Sequence, residues 1–324
     1  MLEVAAVVAG FALLVWAGDK FVLGAAGLAK LLGVAPIIIG MVIVGFGTSA
    51  PEMLVSAIAA WDGSSGLAVG NAIGSNITNI ALVLGATVLI APLAVHSKLL
   101  RREYPVLFII NIVALLLLLD QRLDLLDGIV LFIGLFLFVM WMIKLAKSSP
   151  KSDPLSQEIK QEMPKGVSLP AALLWLAVGL VLLSLGARLV VWGGEGIARA
   201  LGVSDLVIGL TIVAIGTSLP ELVASIMSAR KNEHDLALGN IIGSNMFNLL
   251  GVLGIAAVIH PATIEAAALY RDFPVMIFLT LVLIIMSRSK AGPEGTLTRT
   301  KGSLLLTVYI LYMIALYLST KAAA

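Results

Sequence analysis

The chain has 324 residues, 60% hydrophobic and only 12% charged, with a mean hydropathy of +1.08. A soluble domain is about a quarter charged, so a surface this apolar requires lipid as part of its solvent. The absence of cysteine excludes disulfides and thiolate metal sites, and a formal net charge of +2 gives no ground for a nucleic-acid partner.

A bilayer span takes about 20 mostly apolar residues. The first such stretch, 4–29, has no basic segment before it and reads as a spanning helix, not a cleaved signal. Further spans are predicted at 36–60, 67–91, 103–119 and 126–146. A polar segment rich in Lys, Glu, Ser and Pro follows, and then spans at 170–199, 205–229, 236–259, 272–287 and 303–319. The chain thus divides into a first unit at 1–147, a linker at 148–168 and a second unit at 169–324.

The two units are copies. Gly47-Thr48-Ser49-Ala50-Pro51-Glu52 returns as Gly216-Thr217-Ser218-Leu219-Pro220-Glu221, an offset of 169. Gly70-Asn71-Ala72-Ile73-Gly74-Ser75-Asn76 returns at the same offset as Gly239-Asn240-Ile241-Ile242-Gly243-Ser244-Asn245. Leu32-Gly33-Val34 matches Leu201-Gly202-Val203, and Pro105 matches Pro274, with no gap between. Five spans is an odd number, so the second copy enters the membrane upside down. The expected fold is an all-α polytopic membrane protein of ten helices in two inverted five-helix repeats, an organisation characteristic of secondary transporters.

Fifteen of the 21 Lys and Arg residues fall on the side reached after the first span, and four on the other. The excess of basic residues marks the cytoplasmic face. The expectation is a multi-pass protein of the plasma (inner) membrane with both termini extracytoplasmic.

Glu52 and Glu221 fall inside apolar spans, where a carboxylate costs at least about 2.5–3.5 kcal/mol. No Lys or Arg lies at comparable depth in spans two, three, seven or eight, so a cation or a proton is the expected partner. Pro51 and Pro220, with Gly45, Gly47 and Gly216 before them, predict a broken helix whose freed carbonyls can coordinate an ion. At helical spacing Thr48 and Ser49 would share a face with Glu52, and Ser75 with Asn79. The second copy repeats this with Thr217, Ser218, Glu221, Ser244 and Asn248. Oxygen donors alone suit hard cations such as Ca²⁺ and Na⁺. A single Pro-Glu or Gly-Ser would read as a kink or a packing contact; two copies in inverted repeats favour a cation site. Asp19 and Lys20 read as a local ion pair, and His96, His234 and His260 as loop residues. Arg102-Glu103 and Arg271-Asp272 read as interface anchors.

The G-[TS]-S-x-P-E and G-N-x-x-G-S-N motifs, each present twice, resemble those of the cation/calcium exchanger superfamily, specifically its prokaryotic sodium/calcium exchanger-like members. The resemblance covers essentially the whole chain. It implies spans two, three, seven and eight around four cation positions, with spans one and six sliding past them. Carried onto this sequence, the ligands are Glu52, Glu221, Thr48, Ser49, Thr217, Ser218, Ser75 and Ser244, with backbone carbonyls of Gly45 and Ala214. Asn79 stands in its usual place, and Asn248 replaces an aspartate found in many relatives.

The resulting expectation is a sodium/calcium antiporter with Ca²⁺ and Na⁺ as cargo, no cofactor, the lipid bilayer and small cations as its partners, and no obligatory protein partner. A proton/calcium antiporter is the first alternative and a cation channel the second. An enzyme is disfavoured because the buried polar groups include no nucleophile–His pair and no transition-metal ligand set.

Overall fold

A computed structural model describes residues 2–63, 65–95, 100–148, 168–201, 214–288 and 295–323. Most of the predicted linker, the first part of the predicted span 205–229, and His96 lie outside them.

The first half contains α1 (Leu2–Leu32), α2 (Pro36–Thr48), α3 (Ala50–Trp61), α4 (Gly66–Ile90), α5 (Leu100–Leu118) and α6 (Leu125–Ser148). The second contains α7 (Leu169–Ala200), α8 (Ala214–Thr217), α9 (Leu219–Arg230), α10 (His234–Ile259), α11 (Ala268–Met286) and α12 (Arg299–Ala323). Seven of these helices are long and apolar enough to cross a membrane singly, and α2 with α3 makes an eighth, bent by 41°. Two further predicted crossings correspond to α5, whose start carries Arg101, Arg102 and Glu103, and to α8 with α9.

The breaks fall at serine, not at proline. Ser49 (φ −84°, ψ 0°) separates α2 from α3, and Ser218 (φ −90°, ψ 6°) separates α8 from α9. Pro51 and Pro220 sit in the first turn of the helix that follows, where a missing N–H leaves no intrahelical bond unmade. Both breaks therefore start a new helix just before each glutamate.

The inverted symmetry reaches the turns. α1 ends with left-handed Gly33: Val34 N donates to Ala29 O (3.0 Å) and Gly33 N to Lys30 O (3.1 Å), a Schellman closure. α9 closes the same way at left-handed Asn232, whose counterpart 169 residues earlier is left-handed Gly63. Two short ribbons stitch the halves together. β1 (Leu93–Val95) pairs antiparallel with β4 (Gly295–Leu297), and β2 (Arg122–Leu123) with β3 (Ala262–Thr263). Counting crossings puts one ribbon at each membrane face, as inverted halves require.

α1 and α7 run antiparallel in close contact, with small residues letting their backbones approach. A Cβ on Gly24 would lie 2.5 Å from Leu176 N, and one on Gly193, its repeat counterpart, 2.5 Å from Glu3 O. The pair belongs to an apolar cluster built on Leu14, Phe21 and Leu183, separate from the larger one that holds α4, α10 and α11. Asp19 of α1 does pair with Lys20 (3.5 Å), but its closer partner is Lys231 beyond α9, at 2.7 Å. Sequence spacing could not show that contact.

Arg271 and Asp272 pair at 2.7 Å, and Tyr312 donates to Asp272 at 3.1 Å. Glu103 departs from the interface expectation. It lies one turn inside α5, fully buried, with neither carboxylate oxygen hydrogen-bonded. His234 is the first residue of α10 and not a loop residue.

Candidate cation site at the helix breaks

Glu52 and Glu221 occupy equivalent places, three residues after the break. Ser49-x-x-Glu52 and Ser218-x-x-Glu221 have the spacing of a capping box, yet neither serine caps its helix. The hydroxyls are left for other work. Ser49 Oγ donates across the repeats to Glu221 Oε1 at 3.3 Å, not along its own helix to Glu52. The single helical face expected for Thr48, Ser49 and Glu52 is therefore replaced by a junction of two half-helices.

Thr48 turns the same way. Its Oγ1 bonds Val44 O at 3.0 Å, Asn240 Oδ1 at 3.0 Å and Ser244 Oγ at 3.4 Å. Ser244 Oγ also donates to Gly45 O at 3.3 Å. This proximity needs the glycine: a Cβ on Gly45 would sit 2.9 Å from Ser244 N. Its counterpart Ala214 opens α8, and Thr217 closes it, half-buried. Four hydrogen bonds among the described residues thus join the first half's break to the second half's α9 and α10.

Thr48, Ser49, Glu52, Ser75, Asn79, Ser218, Glu221, Ser244 and Asn248 are all 5% exposed or less. Several of their oxygens have no hydrogen-bond partner: Glu52 Oε2, Glu221 Oε2, Ser218 Oγ, Asn79 Oδ1 and Asn248 Oδ1. Buried polar atoms are normally paired, and the unpaired atoms here also include a donor, Asn248 Nδ2. The described residues include no cluster of three or more His, Cys, Asp or Glu that would hold a resident metal.

Asn79 and Asn248 each open a π-helical segment, Asn79–Leu84 and Asn248–Val252. Such segments cluster at functional sites because the widened turn disturbs the backbone ladder and redirects side chains. Nothing in residue type announced them. Sequence reasoning also missed Asn71, Asn240, Ser56 and Ser225. Asn71 Nδ2 donates to Glu52 O (3.2 Å) and Ser56 Oγ (2.9 Å). Asn240 Nδ2 donates to Glu221 O (3.2 Å) and Ser225 Oγ (2.9 Å). The signal was available, since all four recur at the offset of 169.

Inverted helical repeats closing around a shared pair of buried carboxylates define a secondary transporter, not an enzyme. The model of the family described as sodium/calcium exchanger protein matches residues 2–144 and again 171–318. CaxA of Alkalimonas amylolytica is 48% identical over 97% of this chain and 98% of its own length. Inner membrane protein YrbG of Escherichia coli is 40% identical, covering 98% and 97%. The solved structure of the sodium-calcium exchanger NCX_Mj soaked with Na⁺ and Ca²⁺ superposes with a TM-score of 0.83 at 33% identity, covering 98% of this chain and 99% of that one. The chain belongs to the sodium/calcium exchanger family.

Proposed function

We propose that this protein exchanges Na⁺ for Ca²⁺ across the membrane by alternating access to one midplane site shared by its two halves. The observation that carries the reading is the set of hydrogen bonds from Thr48 and Ser49 to Asn240, Ser244 and Glu221, beside carboxylate oxygens left unpartnered. The cation ligands on this reading are Glu52, Glu221, Thr48, Ser49, Ser75, Asn79, Thr217, Ser218, Ser244 and Asn248, with the carbonyls of Gly45 and Ala214. Ca²⁺ and Na⁺ compete for the same oxygens, and that competition couples their movement. Two carboxylates balance one Ca²⁺ or two Na⁺.

Residues 1–147 and 169–324 act as the two inverted units, joined by the linker 148–168. The basic loops face the cytoplasm, so both termini lie on the extracytoplasmic side of the plasma (inner) membrane; the relative YrbG is an inner membrane protein. Each half supplies one glutamate and one set of hydroxyls, so a single chain carries out the cycle.

The test is Ca²⁺ uptake into proteoliposomes under imposed gradients. An outward Na⁺ gradient is expected to drive uptake, while K⁺ or H⁺ gradients alone do not. Uptake driven equally by an H⁺ gradient without Na⁺ would replace the sodium reading with a proton one.

A further inference from the structure

We infer that Asn71 and Asn240 are positioning residues that hold each glutamate, and one hydroxyl beside it, in place for cation binding. Neither asparagine needs to touch the ion. Each uses both ends of its amide. The Nδ2 of Asn71 bridges Glu52 O and Ser56 Oγ, fixing the turn that carries the carboxylate to α4. Its Oδ1 accepts from Ser75 Oγ at 3.4 Å. The Nδ2 of Asn240 bridges Glu221 O and Ser225 Oγ at the same two distances, 3.2 and 2.9 Å. Its Oδ1 accepts from Thr48 Oγ1 at 3.0 Å, a contact that crosses from one half to the other. A carbonyl cannot donate, so the Glu52 and Glu221 carbonyls fix which end of each amide faces them.

The arrangement answers a problem set by the breaks. Glu52 and Glu221 stand in the first turn of a short helix, behind a residue with non-helical backbone and beside a proline that donates nothing. That turn has few bonds of its own to hold it. A carboxylate on a loose turn would have to be ordered by the ion itself, at the expense of affinity. The amide brace from the neighbouring helix supplies the order beforehand. Partners behind metal ligands commonly change affinity by about 10–100-fold when removed.

The experiment measures initial Ca²⁺ uptake against Ca²⁺ concentration in Na⁺-loaded proteoliposomes for wild type, Asn71→Leu and Asn240→Leu. Leucine matches the volume and removes the amide. Each variant is expected to raise half-saturating Ca²⁺ by about 10-fold or more. A merely structural role would lower the maximal rate through the amount of active protein and leave half-saturation where it was. That result, in monodisperse protein, overturns the inference. Should a leucine variant fail to yield monodisperse protein, Asn71→Ser and Asn240→Ser, too short to reach the glutamate carbonyl, carry the same expectation. The inference rests on the exchanger reading. Wild-type vesicles without Na⁺-driven Ca²⁺ flux would sink both, whereas active wild type with unshifted variants sinks this one alone.

Discussion

Ser49 Oγ in the first half donates to Glu221 Oε1 in the second across 3.3 Å, so one half's helix break aligns the other half's carboxylate. A hydrogen bond to a charged group contributes about 1.5–3 kcal/mol. Ser49→Ala should therefore raise half-saturating Ca²⁺ by about 10-fold or more. Ca²⁺ titration of transport in proteoliposomes reads this directly, and an unshifted curve would remove the cross-repeat bond from the account.

Glu52→Gln and Glu221→Gln keep the shape of the side chain and remove one of two buried charges. Each single substitution should abolish Na⁺-driven Ca²⁺ flux, and the double variant should be no worse than either. Retained flux at the wild-type rate in one of them would show that the carboxylates do not act as a pair.

The charge count makes a separate prediction. Asn248 is neutral, as is its counterpart Asn79, so the site carries two carboxylates. A third Na⁺ would leave uncompensated charge in a medium of low dielectric, where it is expensive. Exchange should then move two Na⁺ per Ca²⁺. Initial Ca²⁺ uptake should not respond to a membrane potential clamped with K⁺ and valinomycin; a steep response would require a third sodium.

The outer pair of helices can be tested through its glycines. Gly24→Ala places a methyl group 2.5 Å from Leu176 N, and overpacking of this kind costs about 1–3 kcal/mol. The variant should melt at a lower temperature in detergent and transport more slowly, with half-saturating Ca²⁺ unchanged. An undisturbed melting temperature would show that α1 and α7 separate more readily than their contact suggests.

Much of this architecture could be read from residue order because the bilayer imposes a length on each span and the duplication prints each feature twice. The predicted span 36–60 corresponds to α2 with α3, and 236–259 to α10, because apolar length sets both ends. What escaped was whatever depends on a partner from elsewhere in the chain. Helical spacing put Ser49 with Glu52, but the backbone turns at Ser49 and delivers its hydroxyl to Glu221. Asp19 had an adjacent lysine in Lys20, yet Lys231 approaches more closely. Asn71 sat inside a repeated motif, a sign of importance, but the repeat does not name the Glu52 carbonyl as the partner of its amide.

The Nδ2 bridges of the two asparagines match to a tenth of an ångström, two of the four described π-helical segments begin at equivalent asparagines, and the two glutamates are three residues past equivalent breaks. The two halves thus bring the same residue types to the centre, although their contacts differ: Asn71 Oδ1 accepts from Ser75 in its own half, and Asn240 Oδ1 from Thr48 in the other. Such a binding site has no built-in arrow. Whether calcium leaves the cell or enters it is decided by the gradients on the two sides, and the same molecule will run backwards when they are reversed.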